Sequence, residues 1–203
     1  MMSFVPESHH RKSIRLNGYD YTQAGAYYVT ICVQNRLCLF GSISESVFIP
    51  SAAGIMIKAV WKEMPFNYEG LELGAFVVMP NHIHAIINII DSHVGAGPRA
   101  CPAGAVHTWG SAPMCETVQT REQGNHGGLP LRSLPDVVHR YKTMTTKRYA
   151  DGVKNDGWPP FKGKLWQRNY YEHIIRSDDD YRRIEEYINR NPKTWTDDKL
   201  WTG

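Results

Sequence analysis

The run "VVMPNHIHAIINII" at residues 77–90 constrains the fold more than any other stretch of the chain. Two apolar, β-branched segments flank Pro80-Asn81, a dipeptide that favours a turn, so "LELGAFVVM" and "HIHAIINII" read as the arms of a hairpin. Strand side chains alternate between faces. Ile83, Ala85, Ile87 and Ile89 therefore share one face, which must be the core side. His82 and His84 share the other, about 7 Å apart along the strand. A sheet with one apolar face needs helices to cover it.

Such helices are legible on both sides of the hairpin. Before it, "AYYVTICVQNRLCLFG" reads as a strand ending in a turn near Gly41. "PSAAGIMIKAVWKEM" then places Ile55, Ile57, Val60, Trp61 and Met64 at helical spacing after Ser51, a good N-cap. After it, "SLPDVVHRYKTMTTKRYADG" predicts a helix opened by Ser133 and Pro135 and closed by Gly152. Its Val137, Val138, Tyr141 and Met144 form one stripe, with cations largely elsewhere. "LWQRNYYEHIIR" predicts a fourth strand. A last helix should start at Ser177, where Ser177-x-x-Asp180 resembles a capping box, and stop near Asn191 because a residue before proline disfavours helical geometry. The order strand, helix, strand, strand, helix, strand, with an added C-terminal helix, predicts an α+β, ferredoxin-like (RRM-like) antiparallel sheet. Both inner helices should lie on one face and leave the other open for a site.

Length suits one domain, residues 1–203, carrying a basic N-terminal arm over residues 1–18. Residues 91–131 turn to Gly, Pro, Ala, Ser and Thr without apolar period and read as a flexible insertion. Cys32, Cys38, Cys101 and Cys115 form no CxxC pair or regular framework, which fits free thiols in a reducing compartment. No run of about eighteen apolar residues occurs, so a cytoplasmic protein without a membrane partner is expected. The net charge of +3 is modest, but residues 132–168 hold nine Lys/Arg against three Asp. That excess fits an anion-facing surface, and equally a solvated basic helix and loop.

Taken alone, His82 and His84 fit a divalent metal, or a pair of exposed strand histidines. Tyr187 and Asn191, four residues apart, share a helix face. Asn191 could give a carbonyl oxygen to a metal with the Tyr187 phenol beside it as a nucleophile, or both could belong to a packed stripe with Tyr181, Ile184 and Ile188.

Three separated segments, "RKSIRLNGYDYTQAGAYYVTICVQNRLCLFG", "VVMPNHIHAIINI" and "LWQRNYYEHIIRSDDDYRRIEEYINRNPKTW", resemble the REP-associated tyrosine transposases, relatives of the single-tyrosine HUH transposases. The resemblance spans nearly the whole chain outside residues 91–131 and implies specific roles. His82-Ile83-His84 would be the His–hydrophobic–His pair, with His82, His84 and Asn191 ligating Mg²⁺ or Mn²⁺ and Tyr187 the nucleophile. Asn191 stands where many insertion-sequence relatives carry Gln. The implied activity is binding of hairpin-forming palindromic repeats and cleavage and rejoining of single-stranded DNA through a 5′-phosphotyrosine. The alternative is a domesticated, catalytically weak hairpin-binding protein. A single late tyrosine and small size favour transposition over replication initiation or conjugative nicking. Arg11, Lys12, Arg15, Arg140, Lys142, Lys147 and Arg148 would contact the DNA backbone, and Trp166, Tyr170 and Tyr171 are stacking platforms or core. His173 is read as structural. A monomer or a homodimer would both fit.

Overall fold

The computed structural model describes residues 16–90 and 133–200, except residues 17 and 199. The arm cations Arg11, Lys12 and Arg15 and the whole predicted insertion, with Cys101 and Cys115, lie outside the described residues.

The central sheet is built from β1 (Gly25–Cys32), β4 (Leu71–Val78), β5 (His82–Ile89) and β6 (Tyr171–Ile175), in the order β4-β5-β1-β6 with every neighbour antiparallel. This is the ferredoxin-like order expected from the sequence. Two helices, α1 (Ala52–Asn67) and α2 (Leu134–Asn155), cover one face. Their side chains Ile57, Val60, Trp61, Val137, Val138 and Tyr141 join Ile83, Ala85 and Ile87 of β5 in the main core. The caps form as expected, with the hydroxyls of Ser51 and Ser133 accepting from the amides of Gly54 and Asp136.

The strand β4 needs a correction to simple alternation to serve this core. Leu73 pairs with Ile87 but Phe76 pairs with Ala85, so one extra residue is accommodated as a bulge. The bulge shifts the parity of the strand. Leu71, Leu73, Phe76 and Val78 thereby all reach the main core, while Ala75 and Val77 turn to the opposite face. Gly74 lies in the bulge, where an added Cβ would meet Ile86 Cβ at 2.8 Å and the Tyr181 hydroxyl at 2.7 Å. Glycine lets the last helix approach the sheet.

That helix, α3 (Asp178–Arg190), overturns the expectation of an open second face. Its Ile184 and Ile188 pack with Tyr28 and Ile86 into a second, smaller cluster across the sheet from α1 and α2. The Ser177 hydroxyl caps it, accepting from the Asp180 amide at 3.2 Å. The reciprocal half of a capping box does not form, because the Asp180 carboxylate is taken by His173 at 2.8 Å and Arg183 at 2.6 Å. His173 is thus a strand-to-helix tie, as its structural reading anticipated. The chain also continues past the expected stop. Asn191 keeps helical angles (φ −51, ψ −43) in front of Pro192, and a 3₁₀ turn runs over Asn191–Asp197.

Other boundaries differ from the sequence expectation for local reasons. The long first strand ends at Cys32, and a separate hairpin of β2 (Gly41–Ser44) and β3 (Val47–Pro50) precedes α1. Gly152 does not end α2. It lies inside the helix against the Trp158 indole, which an added Cβ would meet at 2.4 Å, so it serves close packing. The fourth strand is short, with Trp166 contributing only an isolated bridge to Val33. Among the described residues no helix is long and apolar enough to cross a membrane.

Candidate active site

The second face of the sheet places the predicted site residues together. His82 and His84 project from β5 on the side away from the main core, and both are buried rather than exposed. The 3₁₀ turn covers them, with the Trp195 ring centred 5.8 Å from the His82 ring. Tyr187 lies over His84, ring centroids 5.4 Å apart, and remains 46% exposed. Asn191 is buried one helical turn later. Tyr187, Asn191 and His84 line one pocket with Tyr28, Thr30 and Asp198.

Hydrogen bonds set the state of each imidazole. The Asn81 amide nitrogen donates to the carbonyls of Leu200 at 2.9 Å and Arg36 at 3.3 Å, which orients the amide oxygen toward His82 Nδ1 at 2.8 Å. An oxygen can only accept, so His82 carries its proton on Nδ1 and offers a lone pair at Nε2. His84 Nε2 lies 3.0 Å from that lone pair and donates to it. His84 Nδ1 then accepts, with the Tyr28 and Thr30 hydroxyls each at 2.8 Å. Loading a cation on both Nε2 atoms requires His84 to move its proton to Nδ1 and donate to one of these hydroxyls. Such an outer partner fixes a ligating imidazole.

The donor set fits a divalent ion. Two imidazole nitrogens 3.0 Å apart are close enough that both would ligate one ion. Asp198, which the sequence reading missed, brings its Oδ2 to 3.8 Å from His82 Nε2. Ligand atoms of His82, His84 and Asp198 lie within 4.8 Å of one another. Asp198 Oδ2 and Asn191 Oδ1 are both buried without a hydrogen-bond partner among the described residues. Two buried oxygens without a donor, on the pocket that His84 also lines, are an arrangement that a cation satisfies once His84 has moved its proton to Nδ1. Asp198 follows the 3₁₀ turn rather than any periodic motif, so no spacing rule pointed to it.

Burial holds the His82 pKa down to about 3, with the Arg36 charge adding to the effect. Burial and then neighbouring His82 push His84 well below the usual range, against the opposing pull of Asp198. Both imidazoles are therefore neutral at pH 7, as ligation requires. The unfolded chain takes up these protons below pH 6.5 and the folded chain does not, so stability is constant above that pH and falls as acid is added. Urea titration of the metal-free protein should show a loss of about 2 kcal/mol from His82 alone between pH 6.5 and 5. Tyr187 is raised by burial first and by the Asp198 charge second, while hydrogen bonding from Asn191 and Tyr28 favours its ionised form.

The predicted backbone cations divide. Lys142 is not a surface contact: its ammonium donates to the carbonyls of Gln167, Arg168 and Asn169. Arg148 forks onto both carboxylate oxygens of Glu63, at 2.8 and 2.5 Å. Arg140 is exposed and bonded to the Tyr68 hydroxyl, and Lys147 is exposed on α2. Lys162, Lys164 and Arg168, which belong to the basic stretch of residues 132–168 but were not singled out as backbone contacts, are exposed too. Of the aromatic platforms, Trp166 is core, its indole nitrogen donating to Thr145 at 2.9 Å. Tyr170 lies beneath the Lys142 ammonium, and Tyr171 is exposed at the pocket.

The fold and pocket thus define an α+β protein with a buried His–hydrophobic–His pair on its sheet and a tyrosine and asparagine facing it from the terminal helix. No family model matches the chain. An uncharacterized protein of Haemophilus influenzae is 34% identical over 196 residues, covering 95% of this chain and 94% of that one. A second protein of the same organism, named as a candidate REP-associated tyrosine transposase, is 22% identical over 173 residues, covering 85% and 73%. Among solved structures, a REP-associated tyrosine transposase bound to a REP hairpin has a TM-score of 0.49 at 18% identity, covering 86% of this chain and 70% of that one. A candidate transposase from Deinococcus radiodurans has a TM-score of 0.42 at 18% identity, covering 86% and 95%. The chain belongs to one family with the first Haemophilus protein and is a relative of the REP-associated tyrosine transposases.

Proposed function

We propose that residues 1–203 act as one HUH transposase-like unit that binds a hairpin-forming DNA repeat and cleaves and rejoins single-stranded DNA through a 5′-phosphotyrosine. The observation that carries this reading is the convergence on one pocket of Tyr187, the neutral His84 imidazole and the two unpartnered oxygens of Asn191 and Asp198, with the His82 imidazole 3.0 Å behind His84. The relation to REP-associated transposases supports a palindromic repeat as the target, and the cytoplasm, at the nucleoid, as the place of action.

His82, His84, Asn191 and Asp198 would hold Mg²⁺ or Mn²⁺. When bound, the ion supplies Lewis-acid stabilisation of the charge that develops on the scissile phosphate. The Tyr187 oxygen gives up its proton and attacks phosphorus, the bond from phosphorus to the 3′-oxygen breaks, and that oxygen takes up one proton in turn and leaves as a 3′-hydroxyl, so the step is proton-neutral. The phosphotyrosine conserves the energy of the broken ester, so a second 3′-hydroxyl can reverse the step without ATP. Asn191 and Tyr28 assist by favouring the phenolate. Arg140, Lys147 and the arm cations Arg11, Lys12 and Arg15 would track the backbone.

The test is intact-mass analysis after incubation with a single-stranded repeat hairpin and Mg²⁺ or Mn²⁺. A covalent nucleotide adduct on Tyr187 is expected. Hairpin retention with no adduct under either metal would replace this reading with that of a binding protein.

A further inference from the structure

Across the pocket from the imidazole pair stands a wall that the cleavage chemistry leaves unused. Gln167, Asn169, Tyr170 and Tyr171 line it, and the pocket encloses about 640 Å³, within the roughly 300–1,000 Å³ that suits a small organic group. Strand register aligns this wall with the site. Thr30 pairs with His84 on one side and with Tyr171 on the other. The three residues form a row on one sheet face, with Tyr171 about 10 Å from His84 across two interstrand spacings.

The chemistry of the wall is neutral and specific. Tyr171 is 57% exposed and is steadied by the edge of the Tyr28 ring, centroids 6.1 Å apart. Asn169 is exposed and its side chain makes no hydrogen bond among the described residues. The Gln167 amide nitrogen donates to the Val33 carbonyl at 3.3 Å, which leaves its oxygen to accept. A π surface beside amide donors and acceptors matches the face and edge of an unpaired base, and offers a phosphate no formal charge.

The wall is also held in place. Lys142 donates to the carbonyls of Gln167, Arg168 and Asn169 at 2.9, 3.3 and 3.4 Å, which uses all the protons an ammonium has. The Gln167 backbone N–H donates to the Cys32 carbonyl at 2.9 Å and ties the same stretch to β1. A half-buried cation spent on backbone carbonyls is a device for fixing a loop, and the loop it fixes carries the amides.

We propose that Tyr171, Asn169 and Gln167 form a nucleobase subsite that takes an unpaired base next to the phosphate at the imidazole pair, with Lys142 as its positioning residue. The proposal rests on the DNA reading above. Its test uses the full chain without added metal, so that nothing is cut, and a fluorescent single strand of roughly ten nucleotides, a length one such groove spans. Replacing the base at one position by an abasic site should weaken binding to the wild type by about 5- to 150-fold. Tyr171→Ala should bind the intact strand more weakly by a similar factor and no longer respond to the abasic position, whereas Tyr171→Phe should behave as wild type. Asn169→Ala should keep the abasic response and lose discrimination among bases there. A Tyr171→Ala protein that still senses the abasic position, or a Tyr171→Phe protein that fails alongside it, overturns the subsite alone. A wild type that binds neither the strand nor a repeat hairpin overturns the DNA reading with it.

Discussion

Tyr187→Phe should yield no covalent protein–DNA adduct, with cleavage of a single-stranded hairpin reduced by about 10⁴-fold or more, because the attacking oxygen is gone and nothing replaces it. The substitution removes one hydroxyl from a ring that is 46% exposed. Stability should therefore change by no more than about 0.5 kcal/mol, and hairpin affinity by less than about twofold, since backbone cations supply most of it. The split between lost chemistry and retained binding is the informative result. Denaturing gels with labelled hairpin measure the first and anisotropy the second. Adduct at wild-type yield would remove Tyr187 from its role.

The second large effect belongs to His84→Ala. Its Nε2 sits 3.0 Å from His82 Nε2, and its Nδ1 lies 2.8 Å from two hydroxyls that orient the ring, so its loss removes one of the two aligned nitrogen donors. Calorimetric titration with Mn²⁺ should show affinity reduced at least about 100-fold, beyond the range seen when only an outer partner is lost. The same variant carries one buried neutral imidazole fewer. Metal-free His84→Ala should accordingly lose less stability than wild type as pH falls from 6.5 toward 5, because one fewer group gains a proton on unfolding. Unchanged Mn²⁺ affinity would place the ion elsewhere.

The sheet, its order and the opposed faces of β5 were legible because alternation in "HIHAIINI" and the helical stripes of α1 and α2 are local patterns that burial enforces. The bulge in β4 was not, since the shift at Gly74 appears only when Leu73 and Phe76 must both reach the core. Burial of the histidines was hidden as well. It depends on Trp195 and the 3₁₀ turn, whose path past Pro192 contradicts the local preference for a stop. Asp198 was missed because its place depends on that turn and on its own Oδ1 accepting from the Leu200 amide at 2.7 Å. The cations were read as a patch from composition, which cannot distinguish Lys147 in solvent from Lys142 under three carbonyls. Resemblance grouped His82, His84, Tyr187 and Asn191, and the fold brings the four side chains to one face of β5 and α3.

The division of side chains by β5 bears on how such a protein can change. Ile83, Ala85 and Ile87 hold up one storey of the molecule while His82, His84 and Ile86 furnish the other. Substitutions in the α1–α2 layer and in the α3 layer share few neighbours, so their effects should combine nearly by simple addition. A lineage could retune the DNA it accepts on the upper floor while drift in the lower one continues undisturbed.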